Sequence, residues 1–179
     1  MDDDSAILGT YKVTRPLAVF VICYWKQLIQ ACTMDQPHLV KELLNGSPSV
    51  DVNYKNGVGF TALHYAAEKD AIECVKLLVS ANGINPNIQD NMEKETPLHK
   101  AIINSSSSDI AFKIAKLLIG AGADPRIVNK NKKRAADLTE HDEDDIRKLL
   151  LQATLAIQVK EELAEEKQEE GEASDCSSD

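Results

Sequence analysis

The nine residues Gly59-Phe60-Thr61-Ala62-Leu63-His64-Tyr65-Ala66-Ala67 return 35 positions later as Lys94-Glu95-Thr96-Pro97-Leu98-His99-Lys100-Ala101-Ile102. Each copy is followed by a Leu-Leu pair, Leu77-Leu78 and then Leu117-Leu118, and by a glycine-containing stretch that ends in Asn or Asp beside Pro. Self-similarity with a period in the thirties implies a chain of small units. None of them can bury its apolar face alone, so only stacking of neighbours makes a core.

Four units can be laid out. In the first, Leu28-Ile29-x-Ala31-Cys32 and Leu39-Val40-x-x-Leu43-Leu44 have the i, i+3, i+4 spacing of two short amphipathic helices. Pro37 suits the first turn of the second helix, and Asn45 to Ser49 reads as a loop. The second unit, from about Asn56 to Asp90, opens on Asn56-Gly57-Val58-Gly59, whose glycines suit a tight turn with positive φ. Thr61 caps its first helix, and Ile72, Val75, Leu77 and Leu78 stripe its second. The third, about Asn91 to Asn129, has Lys94 where the second has Gly59, so an altered turn is expected. It also has a Ser-rich insertion, Asn104 to Asp109, that reads as a loop between its helices. In the fourth, Arg134 replaces Thr and Asp137 replaces His, and Asp142 to Asp145 begin a helix where acids complement its dipole.

The doubled T-x-L-H core, the Leu-Leu pairs and endings such as Gly120-Ala-Gly-Ala-Asp-Pro125 resemble the ankyrin repeat family over residues 28–150. The resemblance implies an all-α repeat, an ankyrin solenoid of stacked helix pairs with β-hairpin turns. It also implies a function of holding another protein across the hairpin tips and the first helices. The matching positions are Gly57, Val58, Phe60, Glu68 and Lys69 in the second repeat, and Met92, Glu93, Glu95, Ile103 and Asn104 in the third. Phe60 and Met92 are apolar residues on expected turns, suited to contact with a partner, or else to packing on a neighbouring hairpin. In the family, the motif histidine joins the threonine of its own repeat and links neighbouring hairpins. That implies structural roles for His64 and His99.

Charge is unevenly placed. Residues 161–179 carry nine acids and one lysine, a net of −8 within a total of −9. Such a segment repels nucleic acid and suits a basic partner or plain solvation. A short ankyrin array with an acidic tail is similar in layout to chaperones that escort basic ribosomal proteins, which makes a basic client the alternative to an adaptor function. Helix is expected to continue to about Leu163, with disorder from Gly171 to Asp179. The domain layout is then an N-terminal extension over 1–27, ankyrin repeats over 28–150, and an acidic tail over 151–179.

Residues 17–25 are apolar but far short of the roughly 20 residues that cross a bilayer, so no membrane partner is expected. They read as an extra strand or helix covering the first repeat. The four cysteines have no C-x-x-C spacing and read as reduced thiols, with Cys32 and Cys74 in the core. A cytoplasmic or nuclear location follows. The chain has no phosphate loop, no G-x-S-x-G and no H-E-x-x-H. The reading is therefore of a non-enzyme without cofactor or metal.

Overall fold

A computed structural model describes residues 17–46, 51–139 and 144–172. Seven α-helices are present among them: α1 (Leu17–Thr33), α2 (Pro37–Gly46), α3 (Ala62–Glu68), α4 (Ile72–Val79), α5 (Pro97–Ile103), α6 (Ser108–Gly120) and α7 (Asp144–Glu172). A single 3-10 turn, Ala135–Leu138, takes the place of an inner helix in the last repeat. The helices pair within repeats and stack between them. α1, α3, α5 and the 3-10 turn form an inner row, and α2, α4, α6 and α7 an outer row.

The period of the sequence becomes the period of the core. Leu28, Leu63 and Leu98 stand 35 residues apart, one per inner helix, and each is buried. Ala31, Ala66 and Ala101 keep the same spacing and are fully buried, as is Ala135 in the 3-10 turn. Val75 and Leu78 of α4, Ile114 and Leu118 of α6, and Ile146 and Leu150 of α7 complete the apolar layer. Burying one such Leu contributes about 1.5–3 kcal/mol. Leu63 and Leu98 belong to one continuous core cluster, and in a stacked array the interfaces between neighbouring repeats carry the stability.

Between repeats the chain turns through hairpin tips. In each tip one side chain organises the backbone. Asn56 Oδ1 accepts from the N–H groups of Val58 and Phe60. Asp90 Oδ1 accepts from Met92, Glu93 and Lys94, and Asn129 Oδ1 from Asn131 and Lys133. The equivalent residues Gly59, Lys94 and Lys132 all have positive φ, at 90, 56 and 60°. Lys94 therefore does not alter the turn as the sequence reading expected. A lysine adopts the left-handed backbone because the three bonds to Asp90 hold it there. The expectation for Gly57 also changes: it lacks positive φ and has open space where a Cβ would go, so Gly59 alone meets a backbone requirement. A Cβ on Gly59 would lie 2.6 Å from the backbone nitrogen of Asn91.

Adjacent tips are stitched together. The N–H of Asn91 donates to the carbonyl of Val58 (3.0 Å), and that of Lys130 to the carbonyl of Glu93 (2.7 Å). At the opposite ends of the outer helices, Asn53 and Asn87 repeat one device. Asn53 Nδ2 donates to the Gly83 carbonyl while its Oδ1 accepts from the Asn85 N–H; Asn87 does the same to Gly122 and Asp124.

At the ends of the array the structure refines the expected boundaries. The apolar segment before residue 28 is helical from Leu17 and continuous with the inner helix of the first repeat, and Trp25 stacks on Tyr54 at 4.1 Å. No helix among the described residues is long and apolar enough to cross a membrane. α7 runs through Glu172, beyond the Leu163 expected, because no Pro and no Gly before Gly171 interrupts it. The Ser-rich insertion is a loop only from Asn104 to Ser107, and it docks on the preceding repeat. Ser105 Oγ donates to Asp70 Oδ1, while the N–H and Oγ of Ser106 donate to Oδ2. The expected features of residues 47–50, of Asp142 and of 173–179 lie outside the described residues.

Candidate protein-binding face

Each hairpin is tied to the first helix that follows it through the motif histidine. In the second repeat the Thr61 N–H donates to His64 Nδ1 (3.1 Å), and the threonine hydroxyl lies 2.9 Å from the same nitrogen. His64 Nδ1 is thus an acceptor and Nε2 carries the proton, which it donates to the Glu95 carbonyl of the next hairpin at 3.2 Å. Thr96, His99 and the Lys133 carbonyl repeat the arrangement one unit on. Burial disfavours the charged imidazole in both. It pushes His64 down to about 4 and lowers His99 as well. The structural role implied for these histidines is what the geometry shows. In the last repeat Arg134 and Asp137 close the same local box, with the Arg134 N–H on Asp137 Oδ2 at 2.9 Å. Among the described residues Asp137 bonds only Arg134.

On this frame the site residues of the sequence reading divide into two groups. Val58 and Met92 are exposed at 40% and 61% on adjoining tips, joined by the bond from Asn91 to the Val58 carbonyl. Gly57 and Glu93 share those tips, Glu93 facing Lys130 at 3.7 Å. Ile103 and Asn104 are exposed at the end of α5, and Ile103 keeps 45% of its surface open. Glu68 and Lys69, at the end of α3, pair with each other at 3.1 Å.

Phe60 and Glu95 depart from the expected surface. Phe60 is half-buried, stacks on His64, meets Tyr65 edge-on and lies under Lys100 Nζ at 4.8 Å. Its ring contacts are with His64 and Tyr65 of its own repeat, and Lys100 of the next repeat lies over its face. Glu95 is buried and its carboxylate grips Lys100 at 2.7 Å. Lys100 also lies 3.6 Å from Asp90 Oδ2, which has no hydrogen bond of its own. Burial works against the charge of Lys100, but Glu95 and Asp90 outweigh it and hold the ammonium above the ordinary lysine value. The network fixes the third tip from beneath. The fourth hairpin adds exposed Val128 and Lys130, which the sequence reading left out. The signal was the run Lys130-Asn-Lys-Lys-Arg134 at the tip position.

Helix pairs stacked in two rows and hairpin tips cross-linked by a T-x-L-H network define an ankyrin array. Residues 28–129 match the family description "Ankyrin repeats (3 copies)", and the chain belongs to that family. Ankyrin repeats generally mediate protein–protein interaction, and the family is typically non-enzymatic. The chain is similar to "Ankyrin repeat-containing protein YGL242C" of Saccharomyces cerevisiae. The two are 32% identical over 126 residues, covering 69% of this chain and 66% of that protein. It is also similar to "Ankyrin repeat, SAM and basic leucine zipper domain-containing protein 1" of Carollia perspicillata, at 34% over 98 residues, 55% of this chain and 20% of that protein. "Putative ankyrin repeat protein L92" of Acanthamoeba polyphaga mimivirus is 37% identical over 84 residues, 46% of this chain and 19% of that protein. The chain thus spans just under two thirds of the yeast relative and about one fifth of the other two.

Proposed function

We infer that this chain is an adaptor that binds a protein partner across its hairpin tips and first helices and does no chemistry. The observation that carries the reading is the pair Val58 and Met92. These are exposed apolar side chains on adjoining tips whose backbones are held by Asn56, Asp90 and the inter-tip bond. Fixed tips lose little entropy on binding, so their apolar area converts to affinity more fully than that of a mobile loop. Gly57, Glu93, Glu68, Lys69, Ile103 and Asn104 form the surround, with Val128 and Lys130 extending it. The buried thiols Cys32 and Cys74 are unpaired, which favours a reducing compartment, cytoplasm or nucleus.

A second reading makes the acidic tail the working part, as an escort for a basic client such as a ribosomal protein. It is favoured by α7, which carries the acidic segment outward as a continuous helix anchored by Arg126 on Glu161 at 2.6 Å. Such contacts weaken with salt. The test is affinity capture at low and moderate salt with three proteins: the full chain, a Val58→Asp/Met92→Asp variant, and a truncation after Ala164 that keeps Glu161. A partner lost with the tip variant and kept by the truncation supports the adaptor. Basic proteins lost with the truncation, and kept by the tip variant, overturn it in favour of the escort.

A further inference from the structure

Two unpartnered surfaces of this chain complement each other. Between α4 and α6 on the outer row lies a groove of about 560 Å3. Its floor is apolar, made by Ile72, Val79, Leu117 and Ala121, and Gly120 leaves its mouth open. Lysines 76, 113 and 116 stand on its rim. Lys76 is paired with Glu73 at 2.6 Å, whereas Lys113 and Lys116 are exposed and have no ion pair among the described residues. The groove therefore presents an apolar trough beside two uncompensated positive charges.

The second surface is α7 beyond Leu150. Leu151, Leu155, Val159 and Leu163 are exposed at 48, 60, 52 and 53%. Residues 151, 155 and 159 recur at four-residue spacing, and Glu162, Glu166 and Glu169 follow at steps of three, four and three. At 3.6 residues per turn these six positions fall along one side of the helix, apolar first and acidic after. Such a side has the anchor spacing of helices that bind in apolar grooves.

Among the described residues α6 stands between α4 and α7 in the outer row, and Arg126 clamps Glu161 of the long helix. Parallel pairing of two α7 helices would set Glu162, Glu166 and Glu169 against themselves. The lysine rim does the reverse. We propose that the α7 extension of one copy docks in the α4–α6 groove of a second copy. Leu155 and Val159 lie on the apolar floor, with the glutamates that follow facing Lys113 and Lys116. The exchange is reciprocal, so two copies close into a dimer. It uses the outer row and leaves the hairpin tips free, so it stands or falls independently of the adaptor reading.

Sedimentation velocity of the full chain over a hundredfold concentration range tests it. Association to a dimer that weakens with salt is expected. Lys113→Glu/Lys116→Glu, and separately Glu162→Lys/Glu166→Lys/Glu169→Lys, should each weaken it at least about tenfold. Mixing the two variants should restore association, because each mismatched groove then meets a complementary helix. Lys113, Lys116 and Glu162 are exposed, and circular dichroism melts check that both variants fold. A chain that stays monomeric throughout overturns the proposal and leaves the groove to another acidic helix. A dimer indifferent to the lysine reversal overturns it in favour of pairing between α7 helices.

Discussion

Lys100 Nζ lies 4.8 Å from the centroid of the Phe60 ring, so a cation of the third repeat caps an aromatic side chain of the second. The same ammonium meets Glu95 at 2.7 Å and Asp90 at 3.6 Å, and Asp90 is completely buried. One side chain thus faces two carboxylates and ties the third repeat to the second.

Removing that cation leaves buried charge uncompensated. Lys100→Met should cost about 3–5 kcal/mol, as breaking a buried ion pair does. Phe60→Ala, at a half-buried site, should cost about 2 kcal/mol. The double variant should cost less than the sum by about 1 kcal/mol, the worth of the cation–π contact. Urea unfolding of the three variants measures all three terms, and strict additivity contradicts the contact.

The histidines set a pH dependence. His64 is held neutral in the fold down to about 4, while an unfolded histidine titrates near 6.5. The unfolded chain therefore binds more protons between those values. The stability is fully present above about 6.5 and is lost as pH falls toward 4, by up to about 3 kcal/mol for His64. His99 adds in the same direction. Urea midpoints should fall steadily from pH 7.5 to 5 in the wild type. The fall should be smaller in His64→Gln; an equal slope in both proteins argues against the buried neutral imidazole.

Backbone at the tips gives opposite outcomes at equivalent positions. Gly59→Ala combines a φ of 90° with a Cβ 2.6 Å from the Asn91 nitrogen, and should cost at least about 2 kcal/mol. Lys94→Gly relieves a left-handed lysine and should stabilise by about 0.5–1 kcal/mol. Thermal melts of the two variants should move in opposite directions.

The Cys32 thiol should be inert. Cys32 is fully buried, and its thiol is pushed well above the ordinary range by its hydrogen bond with Cys74 and then by burial. Alkylation of Cys32 by iodoacetamide, followed by peptide mass analysis, should proceed only as fast as the array opens. Labelling at the rate of a free thiol would show that the first repeat is not packed as described.

The repeat and the helix pairs were legible because each is written locally, in T-x-L-H and in leucine spacing. What escaped the sequence depends on contacts between repeats. Glu95 has the position of a tip residue, but Lys100, five residues on, turns its carboxylate inward. Lys94 reads as a lost glycine, yet Asp90 holds the turn with three bonds to the longer tip. Cys32 and Cys74 are 42 positions apart and meet only because α1 and α4 pack on one core. Val58 and Met92, by contrast, are exposed where their hairpin positions alone put them.

The central claim is that the hairpin tips and first helices hold the partner. Its most direct test is isothermal titration of the captured partner against the full chain and against Val58→Asp/Met92→Asp, with the fold of the variant checked by its melt. The account predicts a loss of at least about 100-fold in affinity, some 2.7 kcal/mol. An unchanged Kd in a folded variant would contradict it and move the binding site off the tips.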